Sequence, residues 1–202
     1  MITSAKSILL LGFLLISWTD FLPSNTQPGS KLEYTADAQL KFPEHYREWV
    51  YLTSGFDMSY DPAGMQMGHH MFDNVFVNPE AYKAFVATGT WPDKTILVIE
   101  ARRAEGKGSI NQKGNFQGEV MGFEAHVKDE KRFPGKWAFF GFGEAKTAKM
   151  IPTTAACYSC HESHAAVDTT FVQFYPSLMP VAKSKNTLAP AYLKETETLA
   201  QK

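Results

Sequence analysis

The segment FQGEVMGFEAHVKD, residues 116 to 129, constrains the fold more than any other. Over most of its length it alternates, with Val120, Gly122, Glu124 and His126 on one face and Met121, Phe123, Ala125 and Val127 on the other. A period of two belongs to a strand, not a helix. TILVIEARR before it is β-branched and continuous enough for a buried strand. MFDNVFV carries apolar Phe72, Val75 and Val77, with Phe76 breaking strict alternation, and also reads as a strand. WAFFGFG is a strand whose glycines permit close approach of a flat partner or a neighbouring backbone. KFPEHYREWVYLTSGF reads as a short helix, Pro43 in its first turn, running into a strand at Trp49–Thr53. NPEAYKAFVATG is the clearest helix: Asn78 to cap it, Pro79 at its first position, Glu80 to complement the dipole and Gly89 to end it. GKGSINQKGN is a polar glycine loop. The expected class is α+β, a mainly antiparallel β-sheet of about five strands with peripheral short helices. No internal repeat or second domain is visible.

The chain opens MITSAKSILLLGFLLISW, with Lys6 ahead of an apolar run, Ile8 to Trp18, broken by Gly12 and Ser17. That run is shorter than the roughly 20 apolar residues that span a bilayer, and has the length of a signal-peptide core. TDFLPSNTQPGS behind it has linker composition. With no clear A-x-A cleavage site, a cleaved signal peptide and an N-terminal anchor both stay open. In either case the remainder is expected to be exported, to a periplasm or its equivalent. Residues 1–28 are therefore set apart, and 29–202 are expected to form one domain. Lys and Arg total 20 against 21 Asp and Glu, a net charge of −1, so there is no electrostatic case for nucleic acid or an anionic membrane. The 15 Phe and 4 Trp suit a domain that buries a large flat ligand, although aromatics most often build cores.

The only two cysteines, Cys157 and Cys160, lie in TAACYSCHESHAA with His161 directly behind them. C-x-x-C in an exported chain has three uses: a redox dithiol, part of a zinc site, or a haem attachment. His161 and His164 would complete a zinc set. A redox dithiol normally follows a strand and opens a helix in a βαβ setting, which this stretch lacks. Haem attachment needs two thiols that reach the two vinyl groups on one edge of the macrocycle, and a histidine placed beneath the iron. Cys157-Tyr158-Ser159-Cys160-His161 meets each demand.

Five strings, FPEHYREWVYLTSGFDMSY, HHMFDNVFVNPEAYKAF, TGTWPDKTILVIEARR, VKDEKRFPGKWAFFGFG and TAACYSCHESHAAVDTTFVQFYP, resemble in that order the cytochrome P-460 family, which is similar to cytochrome c′-beta. The likeness runs over about residues 40 to 180. It implies a mainly antiparallel β domain, often a homodimer, with one covalent c-type haem (haem c) and a largely closed distal pocket. By that resemblance Cys157 and Cys160 attach the haem and His161 is the proximal iron ligand. Two activities are implied: oxidation of hydroxylamine by a haem cross-linked to a lysine, or binding of nitric oxide or carbon monoxide without that bond. The family's lysine falls near Ile99, which cannot make the link, and Lys94 reads as a solvated lysine. The expectation is a haem protein without the cross-link, binding nitric oxide or another small nitrogen compound at a five-coordinate iron. The alternatives are a hydroxylamine-oxidising enzyme, or a low-spin electron carrier to a partner cytochrome.

GMQMGHHM packs Met65, Met67, His69, His70 and Met71 together. It reads as a packed loop, a source of a sixth iron ligand, or a Cu(I) site. Glu124 and His126 are candidates for an acid–base pair over the distal pocket, or face solvent. His164, one helical turn beyond His161, is expected to face solvent. The Phe residues of WAFFGFG serve as core or as an apolar distal wall.

Overall fold

The computed structural model describes residues 31–59 and 70–200. The leader expected at 1–28, and Met65, Met67 and His69, lie outside the described residues. β1 (Leu40–Lys41) precedes a 3-10 turn at Tyr46–Glu48, which stands where a short helix was expected. β2 (Val50–Phe56), β3 (Met71–Val77), β4 (Ile96–Glu105), β5 (Phe116–Lys128) and β6 (Trp137–Gly143) follow, and β7 (Thr147–Ala148) pairs back to β1. β2 to β6 form one antiparallel meander in the order β2-β3-β4-β5-β6. The helices are α1 (Pro79–Thr88), α2 (Ala156–His164), α3 (Met179–Lys185) and α4 (Pro190–Ala200). The class is α+β and dominated by sheet, as expected.

Alternation decides what each face buries. Val98 lies opposite Phe76 and Ala125, and Ala125 opposite Phe140. Their side chains join Leu40, Tyr46, Trp49 and Phe133 in one core. Leu97 lies opposite Val77 and His126, and His126 opposite Phe139, which defines the other face. There Leu52, Val75, Val77, Leu97 and Trp137 pack under Phe85 of α1, Trp91, Val172 and Leu178. Phe85 and Trp91, both fully buried, meet at 4.3 Å between ring centroids. Truncating either to Ala would cost about 3–5 kcal/mol.

α1 obeys its local signals with one change. Gly89 closes it in the left-handed region at φ 79°, its N–H on the Phe85 carbonyl. A Cβ there would lie 2.7 Å from the Lys185 Cβ, so glycine is needed for space as well as for φ. Asn78 occupies the cap position but makes no side-chain cap; its Oδ1 accepts the Ile96 N–H at 2.8 Å. The tertiary partner wins because that β4 amide is buried and would otherwise lack an acceptor.

On the first face Glu100 is almost completely buried, at 1% side-chain exposure. It accepts hydrogen bonds from the Tyr46 hydroxyl, from Arg47 at 2.5 Å, from Arg102 Nε at 2.5 Å and from Asn74 Nδ2 at 3.2 Å. Burial pushes its carboxyl pKa up, but the bonds from Arg102 and Tyr46 and the charges of Arg47 and Arg102 outweigh that and hold it below the ordinary value.

Candidate functional site

α2 carries Cys157, Cys160 and His161 on nine residues, too short to be stable by propensity alone. Tertiary contacts hold it. Tyr158 donates its hydroxyl to the Ile151 carbonyl at 2.9 Å and accepts the Phe139 N–H of β6 at 3.3 Å. Its ring meets Phe139 edge-on at 4.8 Å. The first of the two residues between the cysteines thus locks the helix to the sheet. The two thiols are free, half-buried and one helical turn apart.

His161 donates its Nδ1–H to the Thr169 carbonyl at 2.7 Å. A carbonyl only accepts, so this contact sets the tautomer and leaves Nε2 with the lone pair. Among the described residues no hydrogen bond reaches Nε2. The ring lies against Phe171 at 4.2 Å, Phe139 at 4.6 Å and His126 at 5.2 Å. Burial lowers its pKa, and the bond to Thr169 opposes that.

His126 is buried, at 4% exposure, and does not face solvent. It stacks on Phe139 at 4.0 Å and 14°, and its Nε2 shares a 3.2 Å hydrogen bond with the Thr169 hydroxyl. Burial, then the neighbouring His161, hold its pKa well below the usual histidine range. No hydrogen bond joins it to Glu124, two residues earlier on the same face. Glu124 lies opposite Ile99 and Gly141, and a Cβ built on Gly141 would meet no heavy atom within 4 Å. Asp73 of β3 looks out on this face too, because Val75 does and the period is two. Burial raises the carboxyl pKa of both, and in Asp73 the charges of Glu124 and Asp57 add to it. Glu124 still meets solvent, which screens the effect.

The remaining sequence candidates scatter. Lys94, in the left-handed region at φ 66°, turns its ammonium to Asp129 at 2.5 Å. Five residues of extended chain, roughly 16 Å, separate it from Ile99. His164 is half exposed and pairs with Glu195 of α4 at 3.0 Å. Among the described residues no three His, Cys, Asp or Glu side chains gather as a metal-ligand set, so the zinc arrangement of Cys157, Cys160, His161 and His164 is not assembled. His70 stacks on Phe56 and bonds Asp57 at 2.5 Å. Of the WAFFGFG phenylalanines, Phe140 and Phe142 are core on the opposite face, while Phe139 touches His161.

Thr169, Phe171 and Asp73 were not singled out in the sequence. Asp73 could have been found by carrying the alternation of β5 across β4 to β3. Nothing local in DTTFVQF marks Thr169.

The donor set fits a haem: two unpaired thiols one turn apart, an imidazole whose Nδ1 is already bonded, and flat apolar rings around it. Beside Cys160 a cavity of about 550 Å³ opens, lined by Phe171, Phe174, Tyr192 and Leu199 together with the polar His164, Gln173, Glu195 and Thr196. That is within the usual range for small-molecule sites.

The family model described as Cytochrome P460 matches residues 43–172, from the turn before β2 through the strap after α2, with CYSCH inside. The curated proteins contain no match to the chain. With almost two thirds of its length covered, including the whole five-stranded sheet and α2, the chain belongs to the Cytochrome P460 family and is a haem-binding cytochrome.

Proposed function

We propose that this protein is an exported c-type monohaem cytochrome that binds nitric oxide or a related small nitrogen compound and has no lysine–haem cross-link. The observation that carries it is the His161 Nδ1–H bonded to Thr169 at 2.7 Å, which turns Nε2 into the free donor one residue beyond two free thiols. In this reading Cys157 and Cys160 each add S–H across a vinyl group, the sulfur bonding one carbon and the hydrogen the other, so no oxidant is required. His161 holds the iron through Nε2. Bound haem supplies an iron with an exchangeable position, and its potential follows from the axial ligand and its surroundings. The half-buried Ile99 offers no nucleophile, and Lys94 is engaged with Asp129. An exported location is supported by the apolar run at Ile8–Trp18 ahead of a haem-type cysteine pair. Pairing of two copies, and exchange of electrons with a partner cytochrome, belong to the same reading.

A second reading, oxidation of hydroxylamine, has one observation in its favour. Asp73 and Glu124 look out on the His126–Phe139 face with carboxyl pKa values raised, chiefly by burial, which makes each a better proton acceptor than an ordinary carboxylate. Of the pair expected in the sequence, this second reading gives the role to Glu124.

Co-expression with cytochrome c maturation factors followed by acid–organic extraction tests the main reading. Colour that stays with the protein supports it. Complete transfer of haem to the organic phase defeats it.

A further inference from the structure

Thr169 presents two groups to two histidines. Its carbonyl accepts the Nδ1–H of His161 at 2.7 Å, and its hydroxyl meets His126 Nε2 at 3.2 Å. The strap that carries it, residues 165–170, is pinned on every side. The Ala165 N–H returns to the His161 carbonyl, and Val167 and Thr170 bridge across Asp168, which is left-handed at φ 52°. The sheet side reaches in as well. Trp91 Nε1 donates to the Thr170 hydroxyl at 2.7 Å, and Lys128 Nζ reaches the Trp91 carbonyl at 2.7 Å and Asp168 at 3.4 Å. These contacts anchor Ala165, Val167, Asp168 and Thr170, while at Thr169 itself the side-chain contact is the one to His126.

Burying an imidazole costs free energy unless its polar atoms find partners. A phenylalanine at position 126 would stack on Phe139 without that cost. The polar ring meets a hydroxyl whose own residue holds the ligand histidine, and that gives it a use.

We propose that His126 and the Thr169 hydroxyl are positioning residues that fix the strength of the His161 Nδ1–H···O=C bond, and through it how strongly His161 donates to iron. This rests on the haem reading above. A firm hydrogen bond at Nδ1 gives the imidazole partial anionic character, makes it a stronger donor and stabilises ferric over ferrous iron. Loosening the Thr169 carbonyl weakens the bond, so the reduction potential moves positive and the iron–histidine bond softens.

The test uses the full haem-loaded protein and three variants: His126→Phe, which keeps a ring on Phe139; Thr169→Val, which replaces the hydroxyl with a methyl; and Thr169→Ser, which restores the hydroxyl. Midpoint potential, the ferrous iron–histidine stretch by resonance Raman, and Tm are read on each. His126→Phe and Thr169→Val are expected to move the potential positive and the stretch to lower frequency, the double variant to add little, and Thr169→Ser to match the wild type. Should His126→Phe fail to load haem, the Val and Ser pair decides alone. Variants that lower Tm while potential and stretch stay at wild-type values overturn the proposal, as do shifts of opposite sign. A wild-type protein without haem, or with iron not held by His161, overturns the haem reading itself, a result read before any variant.

Discussion

Trp91 donates its indole N–H to the Thr170 hydroxyl at 2.7 Å, joining the turn before β4 to the strap behind His161 across 79 residues of sequence. Both side chains are buried, and the hydroxyl in turn donates to the Val167 carbonyl at 2.8 Å. The turn before β4 thus holds the strap that follows α2 by a polar contact inside an apolar core.

Trp91→Phe removes that donor and leaves a small void beside Phe85. We expect a loss of about 1–3 kcal/mol, with Tm falling by roughly 2–4 °C per kcal/mol for a domain of this size. Denaturant unfolding of the haem-loaded protein measures it. An unchanged midpoint would show the contact to be energetically idle.

Glu100 anchors the opposite face. Glu100→Ala strands the Arg102 guanidinium and the Tyr46 hydroxyl and should destabilise by about 3–5 kcal/mol, whereas Glu100→Gln should lose less, about 1–3 kcal/mol. The pH dependence has a definite sign. A carboxyl held below its ordinary value stabilises the fold at pH above that value, and the stabilisation is lost as pH falls through the folded pKa. Wild-type stability should therefore fall more steeply than that of Glu100→Gln below the ordinary carboxyl value of 4.5. Parallel curves from pH 6 to about 3 would contradict this assignment.

Asp73 and Glu124 should behave in the opposite way. Their carboxyl pKa values are raised, so folding favours the protonated form, and ionisation opposes folding as pH rises through the gap between unfolded and folded values. Asp73→Asn and Glu124→Gln should match or exceed wild-type Tm at neutral pH. The advantage should shrink as pH drops below the ordinary carboxylate range. A Tm deficit that is the same at every pH would mean that the carboxylates make contacts the substitutions destroy.

The proposed lack of a lysine tether is open to a chemical test. Proteolysis and mass spectrometry should place haem on one peptide, the one with Cys157 and Cys160, and the pure protein should bind nitric oxide while turning over little or no hydroxylamine. Haem on a peptide containing Lys94 would require that side chain to leave Asp129, to which it is paired at 2.5 Å.

How much could be read beforehand follows from how far apart the deciding atoms lie in the chain. Strand periodicity is local, so FQGEVMGFEAHVKD was legible as β5, with the faces assigned correctly from Gly122 to Val127; a bulge at Met121 pairs Val120 with Arg102 on the Glu100 face instead of the Glu124 face, which a period of two does not foretell. Gly89 was legible as the stop of α1, because left-handed φ is a property of one residue. Cys157, Cys160 and His161 fall within one and a half helical turns, so their grouping was legible too. Asn78 was not. Its oxygen chose the Ile96 amide 18 residues away over its own helix, a choice no local rule contains.

By itself the sequence determined the five strands of the meander, which side chains share a face where their alternation is unbroken, and that two thiols and an imidazole sit side by side. Those are one-dimensional facts, settled by backbone sterics and by periods of two and 3.6. Only the tertiary structure decided which faces meet. Antiparallel register set His126 beside Phe139 and Leu97, and the return of the chain after α2 laid Thr169 between His126 and His161. It likewise put Asp73 and Glu124 on one face from strands separated by β4, and gathered Tyr46, Arg47 and Arg102 around Glu100. The reason is energetic. A buried polar group must find its partner wherever the packed chain supplies one, and that partner's place in the sequence leaves no trace at the residue that needs it.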